Sequence, residues 1–156
     1  MRIHAVATRL FWLIPVLGAV ACGGGKPASQ AAANAPPAVT AAPQVAMATR
    51  NNSGITGSAT LAASGDSTTI TVALHGVTPG QTYASHVHAG GCDTPGAMLI
   101  PLTSVVAGAD SAGTSTTTIA TARLDSARTQ YGALLVQSHL PSGTPAACGD
   151  LPAHQG

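Results

Sequence analysis

Beyond its first 21 residues this sequence has few aromatic and few charged residues. Phe11 and Trp12 lie within those 21 residues, so Tyr83 and Tyr131 are the only aromatic residues that follow. A folded core must therefore be built from Val, Ile, Leu and Ala. Charged residues make up 7% of the chain and form no basic patch. Nucleic acid is not an expected partner, because binding it requires several phosphates to be neutralised at once.

Sequence motifs of the common catalytic classes are also missing. The chain has no Gly-x-Ser-x-Gly, no glycine-rich phosphate loop and no Cys-x-x-Cys, which are typical of serine hydrolases, nucleotide-binding proteins and thiol oxidoreductases. The acidic residues are scattered through predicted turns. Asp150, which follows Gly149, either caps a turn or orients a ligand histidine as an outer carboxylate. No catalytic residue is assigned.

The first 21 residues have the three parts of a secretory signal peptide. Arg2 and Arg9 precede an apolar run of 11 residues, and small residues then lead to Cys22. The run is too short to span a bilayer. A cysteine at this point predicts a bacterial lipoprotein, with lipid on Cys22 as a membrane anchor in the cell envelope, on the periplasmic or outer face. The alternative is an ordinary signal peptide that leaves Cys22 as a free thiol.

Two regions of different composition follow the signal peptide. Residues 22–53 are rich in Ala and Pro and lack a periodic apolar pattern, which predicts a flexible lipidated tether. Residues 54–152 consist of short Thr, Val, Ile and Leu runs separated by Gly, Pro, Asp and Ser. That pattern predicts an all-β sandwich or barrel. Residues 153–156 are interpreted as a tail.

The clearest strand spans residues 68–75, where apolar residues alternate with Thr and Ala and His75 falls on the polar face. Pro101 is expected to interrupt another strand. The sequence predicts strands at 55–63, 68–75, 98–107, 114–121, 131–140 and 148–151, and a further strand around residues 86–88. A short helical turn is predicted at 122–128.

A histidine pair is the strongest functional signal in the chain. His86 and His88 are separated by one residue in a stretch that is predicted to be a strand. Side chains on a strand alternate between faces, so both imidazoles point the same way, with Cα atoms ~6.5 Å apart. Two imidazoles at that separation can bind one metal ion at ~2 Å each. The alternative is a pair of ordinary surface histidines.

His139 is a third candidate ligand because of strand parity. If Val87 and Val136 face the core, then His86, His88 and His139 all face outward. The three histidines meet only if the two strands are neighbours in the sheet, and parity does not determine that.

The chain has three cysteines, so at least one cannot join an internal disulfide. If Cys22 carries lipid, Cys92 and Cys148 remain as a pair in an oxidising compartment. Their disulfide would enclose 55 residues and stabilise the fold by ~4 kcal/mol in the chain-entropy model. A domain with so few large side chains is expected to depend on such a constraint.

Residues 74–88, Leu-His-Gly-Val-Thr-Pro-Gly-Gln-Thr-Tyr-Ala-Ser-His-Val-His, resemble a stretch of copper/zinc superoxide dismutases. In that family a strand, a Gly-x-Thr-x-Gly turn and a His-x-His strand follow in this order. Residues 146–149, Ala-Ala-Cys-Gly, are similar to the family's Ala-Cys-Gly near its C-terminus, and residues 109–113 resemble its Asp/Gly hairpin.

This resemblance implies a Greek-key β-barrel or sandwich of the dismutase type with one disulfide, between Cys92 and Cys148. It also implies copper at His86 and His88, with His139 near the position of a further copper ligand.

The chain departs from that family at positions that matter for activity. No histidine occurs between His88 and His139, so the zinc subsite is predicted to be absent and the bridging ligand has no candidate. Pro145 stands where the family has an arginine that attracts superoxide. These differences imply no or weak dismutase activity.

A closer match in length is the chordin-like domain of exported bacterial proteins, which resembles the dismutase barrel without its long loops. That domain typically shows His-x-His, then Pro-Gly, an apolar strand and a later Tyr…Val-x-x-His strand. The corresponding stretches here are 86–88, 95–96, 98–102 and 131–139. This second resemblance implies no particular chemistry.

Three functional hypotheses are consistent with the sequence. The leading one is an envelope-anchored, dismutase-like domain that binds copper through outward-facing histidines and has no or weak activity. Imidazoles suit copper and zinc, and copper binds more tightly at a given nitrogen site, although three histidines with an open position also suit zinc. The second is a true superoxide dismutase. The third is a metal-free structural or interaction module of chordin-like type.

Overall fold

A computed structural model describes residues 42–153, which form eight strands and one helix. All neighbouring strands are antiparallel, in one sheet with the order β5-β4-β7-β8-β1-β2-β3-β6. The prediction of an all-β fold is confirmed. The elements are β1 Gln44–Thr49, β2 Thr56–Ser64, β3 Ser67–His75, β4 Thr82–Gly91, β5 Thr94–Val106, β6 Ala112–Ala120, α1 Thr121–Tyr131, β7 Leu134–His139 and β8 Pro145–Asp150.

The sheet nearly closes into a barrel because its two edge strands, β5 and β6, approach each other. The backbone N–H of Thr103 donates to Thr117 Oγ1 at 2.7 Å, and the Thr117 hydroxyl donates to Thr103 Oγ1 at 3.1 Å. Gly113 permits this approach, because a Cβ there would lie 2.6 Å from the carbonyl oxygen of Val106. Strand β7 returns beside β4 after the consecutive strands β4, β5 and β6, which is a Greek-key arrangement.

The barrel interior is filled by aliphatic side chains. On β3, Ile70, Val72 and Leu74 are at most 1% exposed, while Thr71 and Ala73 between them face the other side, as expected for a period of two. Tyr83 is the one buried aromatic residue in the described part of the chain, and its hydroxyl accepts a hydrogen bond from the Thr78 N–H at 2.8 Å. The core is thus built mainly from aliphatic side chains, as expected from the scarcity of aromatic residues.

Cys92 and Cys148 form the predicted disulfide, with an S–S distance of 2.01 Å and Cα atoms 5.8 Å apart. The bond joins the end of β4 to β8 and packs against Leu135 in a small cluster outside the main core. Asp150 Oδ1 accepts a hydrogen bond from the Cys92 N–H at 2.7 Å. Both the bond and this carboxylate therefore hold the chain where it leaves β4.

The barrel begins earlier than the sequence predicts. Residues 44–49 fall within the predicted tether, yet they form β1, which pairs with β2 on one side and β8 on the other. Met47 on this strand is 2% exposed. Residues 22–53 are therefore not a tether throughout. The sequence gives a weak signal here because Val45 and Met47 are the only large apolar residues of β1, too few for a periodic pattern.

Two smaller features also differ from prediction. Strand β5 continues through Pro101, which was expected to interrupt it. Because β5 is hydrogen-bonded to a neighbour on one side only, the missing N–H of a proline is tolerated there. Helix α1 has 11 residues where a short turn was expected, and it buries Leu124 and Ala127.

The predicted signal peptide at 1–21, the lipidation site Cys22, the first part of the predicted tether and residues 154–156 lie outside the described residues. Between residues 42 and 153 no helix is long and apolar enough to cross a membrane.

Candidate metal centre

Strand β4, which carries His86 and His88, and strand β7, which ends at His139, are neighbours in the sheet. Strand parity alone did not determine this. Strand β4 pairs with β7 with Val87 opposite Val136, and both valines are fully buried. Because successive residues of a strand alternate faces, His86 and His88 lie on the outer side of β4. His139 ends β7 on the same side, just beyond a register shift in the β7–β8 pairing.

The three imidazoles form a triangle outside the barrel. Ring centroids are 5.8 Å apart for His86 and His88, 5.3 Å for His86 and His139, and 5.7 Å for His88 and His139. One ring nitrogen of each lies within 4.8 Å of the others, and all three residues are partly buried. Nitrogens that share one ion at ~2 Å lie up to ~4 Å apart, so small side-chain rotations would close the cluster on an ion.

Backbone carbonyls fix the orientation of two of the rings. His88 Nδ1 lies 3.2 Å from the Gly96 oxygen, and His139 Nδ1 lies 3.0 Å from the Gly143 oxygen. A carbonyl oxygen only accepts hydrogen bonds, so in each ring Nδ1 carries the proton. In the neutral ring Nε2 then keeps a free lone pair, which is the usual arrangement of a metal-binding histidine.

Three further ring nitrogens of the cluster have no hydrogen-bond partner among the described residues. These atoms are Nδ1 of His86 and Nε2 of both His88 and His139, and each is shielded from solvent. Buried polar atoms are nearly always hydrogen-bonded, so unpaired ones require an explanation. Each histidine of a cluster whose ring nitrogens can come within 4.8 Å of one another thus has a nitrogen free to bind a metal ion.

The environment of His86 favours its neutral form. Burial lowers its pKa, and the positive charges that His139 and His88 carry when protonated lower it further. A metal binds the neutral imidazole, whereas a proton on the same nitrogen blocks binding. The environment therefore favours the protonation state that can act as a ligand.

The cluster lines an open cleft of about 410 Å³. Apart from the histidines, no ionisable residue lies among its lining residues, which include Thr82, Ala84, Ser104, Leu140 and Pro141. A small solute can therefore reach the imidazoles, but no positive side chain at the cleft would attract an anion.

Two of the arginines in the described part of the chain are engaged with other groups. Arg50 lies 3.5 Å from a carboxylate oxygen of Asp93, and Arg123 donates to the Leu99 carbonyl oxygen at 3.4 Å. Pro145 lies opposite His139 in the β7–β8 pairing. The position beside this histidine is thus uncharged.

Two other residues that the sequence singled out do not join the cluster. His75 ends β3, is exposed, and pairs with Thr56 and Ala112 on another part of the barrel. Asp150 bonds to the backbone of Cys92. Of the two roles considered for Asp150, the contact supports the turn-capping role.

Met98 is a cleft residue that the sequence analysis did not identify. It lines the cleft with the three histidines and lies opposite His88 in the β4–β5 pairing. The available signal was its place just after the Pro-Gly sequence that follows the histidine strand. Its alignment with His88 depends on a register shift, which cannot be read from a sequence pattern.

Fold and site together define a β-barrel domain with a candidate three-histidine metal centre on its outer surface. No protein-family model matches this chain, and no curated protein is significantly similar to it in sequence. The functional assignment therefore depends on the geometry of the site.

Proposed function

We propose that this chain is a copper-binding protein of the bacterial cell envelope, with His86, His88 and His139 as the copper ligands. The observation that carries the proposal is the cluster of three partly buried histidines with a ring nitrogen of each within 4.8 Å of the others. Each histidine also has a solvent-shielded ring nitrogen without a partner. An unsatisfied buried polar group costs ~1–3 kcal/mol. A shared metal ion would satisfy all three at once.

Copper is the favoured metal because all three donors are imidazoles. At a nitrogen site Cu²⁺ binds more tightly than the other divalent ions of the first transition row. Zinc is the second choice, since three histidines and an open position also suit Zn²⁺. Bound copper would supply one-electron redox chemistry. The protein's own part is to hold His88 and His139 in the correct tautomer through the Gly96 and Gly143 carbonyls.

The site supports a binder better than a dismutase. Superoxide is an anion, and a positive field at the site is what accelerates its arrival. The residues lining this cleft include no lysine or arginine. No histidine occurs between His88 and His139 to take the role of the bridging ligand. We therefore assign copper binding with no or weak dismutase activity.

A relationship to the dismutase and chordin-like domains is part of this proposal. What supports it is the combination of a His-x-His sequence on β4, a disulfide from the end of β4 to an Ala-Cys-Gly sequence in β8, and an antiparallel Greek-key barrel. The zinc subsite of the dismutases has no counterpart residues in this sequence.

The proposed location rests on the N-terminal sequence, with lipid on Cys22 as the membrane contact. The Cys92–Cys148 disulfide supports it, because such bonds persist in oxidising compartments. Mass spectrometry of the membrane-extracted protein tests the anchor. A mature chain that starts at Cys22 with acyl chains attached is expected, and a free Cys22 thiol contradicts it.

Metal affinity tests the proposed function directly. Cu(II) and Zn(II) dissociation constants of the purified protein can be measured by competition with a chromophoric chelator. Single alanine substitutions of His86, His88 and His139 should each weaken Cu(II) binding by at least ~10-fold, the equivalent of ~1.4 kcal/mol. The matched control is His75→Ala, which should bind as the wild type does. A wild-type protein without Cu(II) or Zn(II) affinity would contradict the proposal and favour the metal-free module.

A further inference from the structure

We propose that the Met98 thioether is a fourth ligand of this centre, so that the cleft binds the soft monovalent ions Cu(I) and Ag(I). The inference rests on the proposed function, because it requires the three histidines to hold a metal. It adds a donor of a different chemical class and a preferred oxidation state.

A bulge in β5 directs Met98 toward the cluster. In the β4–β5 pairing Val87 lies opposite Ile100, and the next residue, His88, lies opposite Met98, which leaves Leu99 as an additional residue on β5. Without this bulge Met98 would share the inner face with Ile100, which is 1% exposed. Directly opposed residues of antiparallel strands have Cβ atoms ~4.5–5.5 Å apart on one face. Met98 is therefore the cross-strand neighbour of a ligand.

The exposure of Met98 shows that it is not a core residue. It is 56% exposed, whereas Met47, the other methionine in the described range, is 2% exposed. Apolar surface left in water costs ~25 cal/mol per Å² relative to burial. Because Met98 lines the histidine cleft and has a flexible side chain, rotation of that side chain can bring its sulfur to an ion in the cleft.

The donor set then determines which ions are favoured. Thioether sulfur is a soft ligand that selects Cu(I), while imidazole serves both copper oxidation states and zinc. A site of three imidazoles alone would bind mainly Cu(II) and Zn(II). Addition of the Met98 sulfur raises the affinity for Cu(I) and Ag(I) specifically. The protein is thus suited to hold copper in its reduced form.

Silver is a suitable probe because Ag(I) mimics Cu(I) and does not change oxidation state in air. All variants should carry Cys22→Ser, since a free thiol would also bind Ag(I). Met98→Leu removes the sulfur and keeps the side-chain volume, and Met47→Leu is the matched control at a buried position. Affinities for Ag(I), Cu(I), Cu(II) and Zn(II) are measured by chelator competition, and the methionine methyl groups are observed by NMR with ¹³C-methyl labelling.

We expect Met98→Leu to weaken Ag(I) and Cu(I) binding by at least ~10-fold and to change Cu(II) and Zn(II) binding by less than ~3-fold. Ag(I) should shift the Met98 methyl resonance and leave that of Met47 in place. Equal Ag(I) affinity of wild type and Met98→Leu, or an unshifted Met98 resonance at saturating Ag(I), would overturn the inference. If Cu(II) binding still requires the histidines in that case, the proposed function survives alone. If no metal binds the wild type, both fail.

Discussion

Val87 and Val136 lie directly opposite each other in the pairing of β4 with β7, and both are fully buried. Because both valines are buried, they determine which side of β4 and which side of β7 faces the core. His86 and His88 flank the first valine, and His139 lies three residues beyond the second, so all three imidazoles are directed away from the core. The candidate metal centre is therefore a consequence of how one hydrophobic pair is aligned.

Copper binding should raise the melting temperature of the folded domain. A ligand that binds only the folded state stabilises it by ~2.7 kcal/mol at ~100 times Kd, which corresponds to several degrees in Tm. His86→Ala, His88→Ala and His139→Ala should each abolish the rise, as measured by differential scanning fluorimetry with Cu(II). His75→Ala should retain it. Equal Cu(II) responses in all four variants would place the site elsewhere.

Acid should weaken both the fold and metal binding through His86. Its pKa is lowered in the folded protein, so the unfolded chain takes up this proton at higher pH than the folded chain does. The stability that His86 contributes is therefore present above its unfolded pKa of ~6.5 and is lost as the pH falls below it. Protons compete with the metal in the same range, so copper affinity should fall as well.

NMR titration of the metal-free protein measures this effect. The His86 ring should titrate below pH 6.5, the usual value of an exposed imidazole. In His86→Asn, the decline of Tm between pH 7 and pH 5 should be smaller than in the wild type. A His86 ring that titrates above pH 6.5 would contradict the assignment.

Loss of the disulfide should be costly. In the chain-entropy model the Cys92–Cys148 bond contributes ~4 kcal/mol to the free energy of unfolding. Cys92→Ala combined with Cys148→Ala should reduce that free energy by about this amount, as measured by urea denaturation. Cys22→Ser is the control and should have no effect. Thiol titration of the exported, denatured wild type should detect neither Cys92 nor Cys148, and two reactive thiols at these positions would refute the bond in the cell.

The copper-loaded protein should dismutate superoxide no faster than loosely chelated copper. A positive field accelerates anion arrival by ~10- to 10³-fold, and the residues lining the cleft supply no lysine or arginine to create one. Pulse radiolysis measures the rate. A rate near the diffusion limit would instead establish the protein as a superoxide dismutase.

Much of the fold follows from local sequence patterns. The alternation at Ile70, Val72 and Leu74 identifies β3, and the removal of Cys22 from the cysteine count leaves the correct disulfide pair. The parity of His86 and His88 also holds in the structure. These predictions agree with the structure because they depend on residues close in sequence or on simple counting.

Features that depend on strand neighbours could not be predicted in this way. Whether His139 reaches the other two histidines depends on β7 lying beside β4, although the strands are far apart in the chain. Met98 was overlooked because the Leu99 bulge, and not the alternation of residues, sets the side it faces. Pro101 was misread because its tolerance depends on β5 being an edge strand.

Strand β1 has a practical consequence for any shortened form of this protein. A fragment that starts at Gly54, where the sequence pattern changes, would lack the strand that lies between β2 and β8. Both would then expose unpaired N–H and C=O groups, and such open strands join those of other molecules. Oligomers and aggregates of that fragment would be products of the truncation. A fragment that begins ahead of Gln44 keeps the two strands covered.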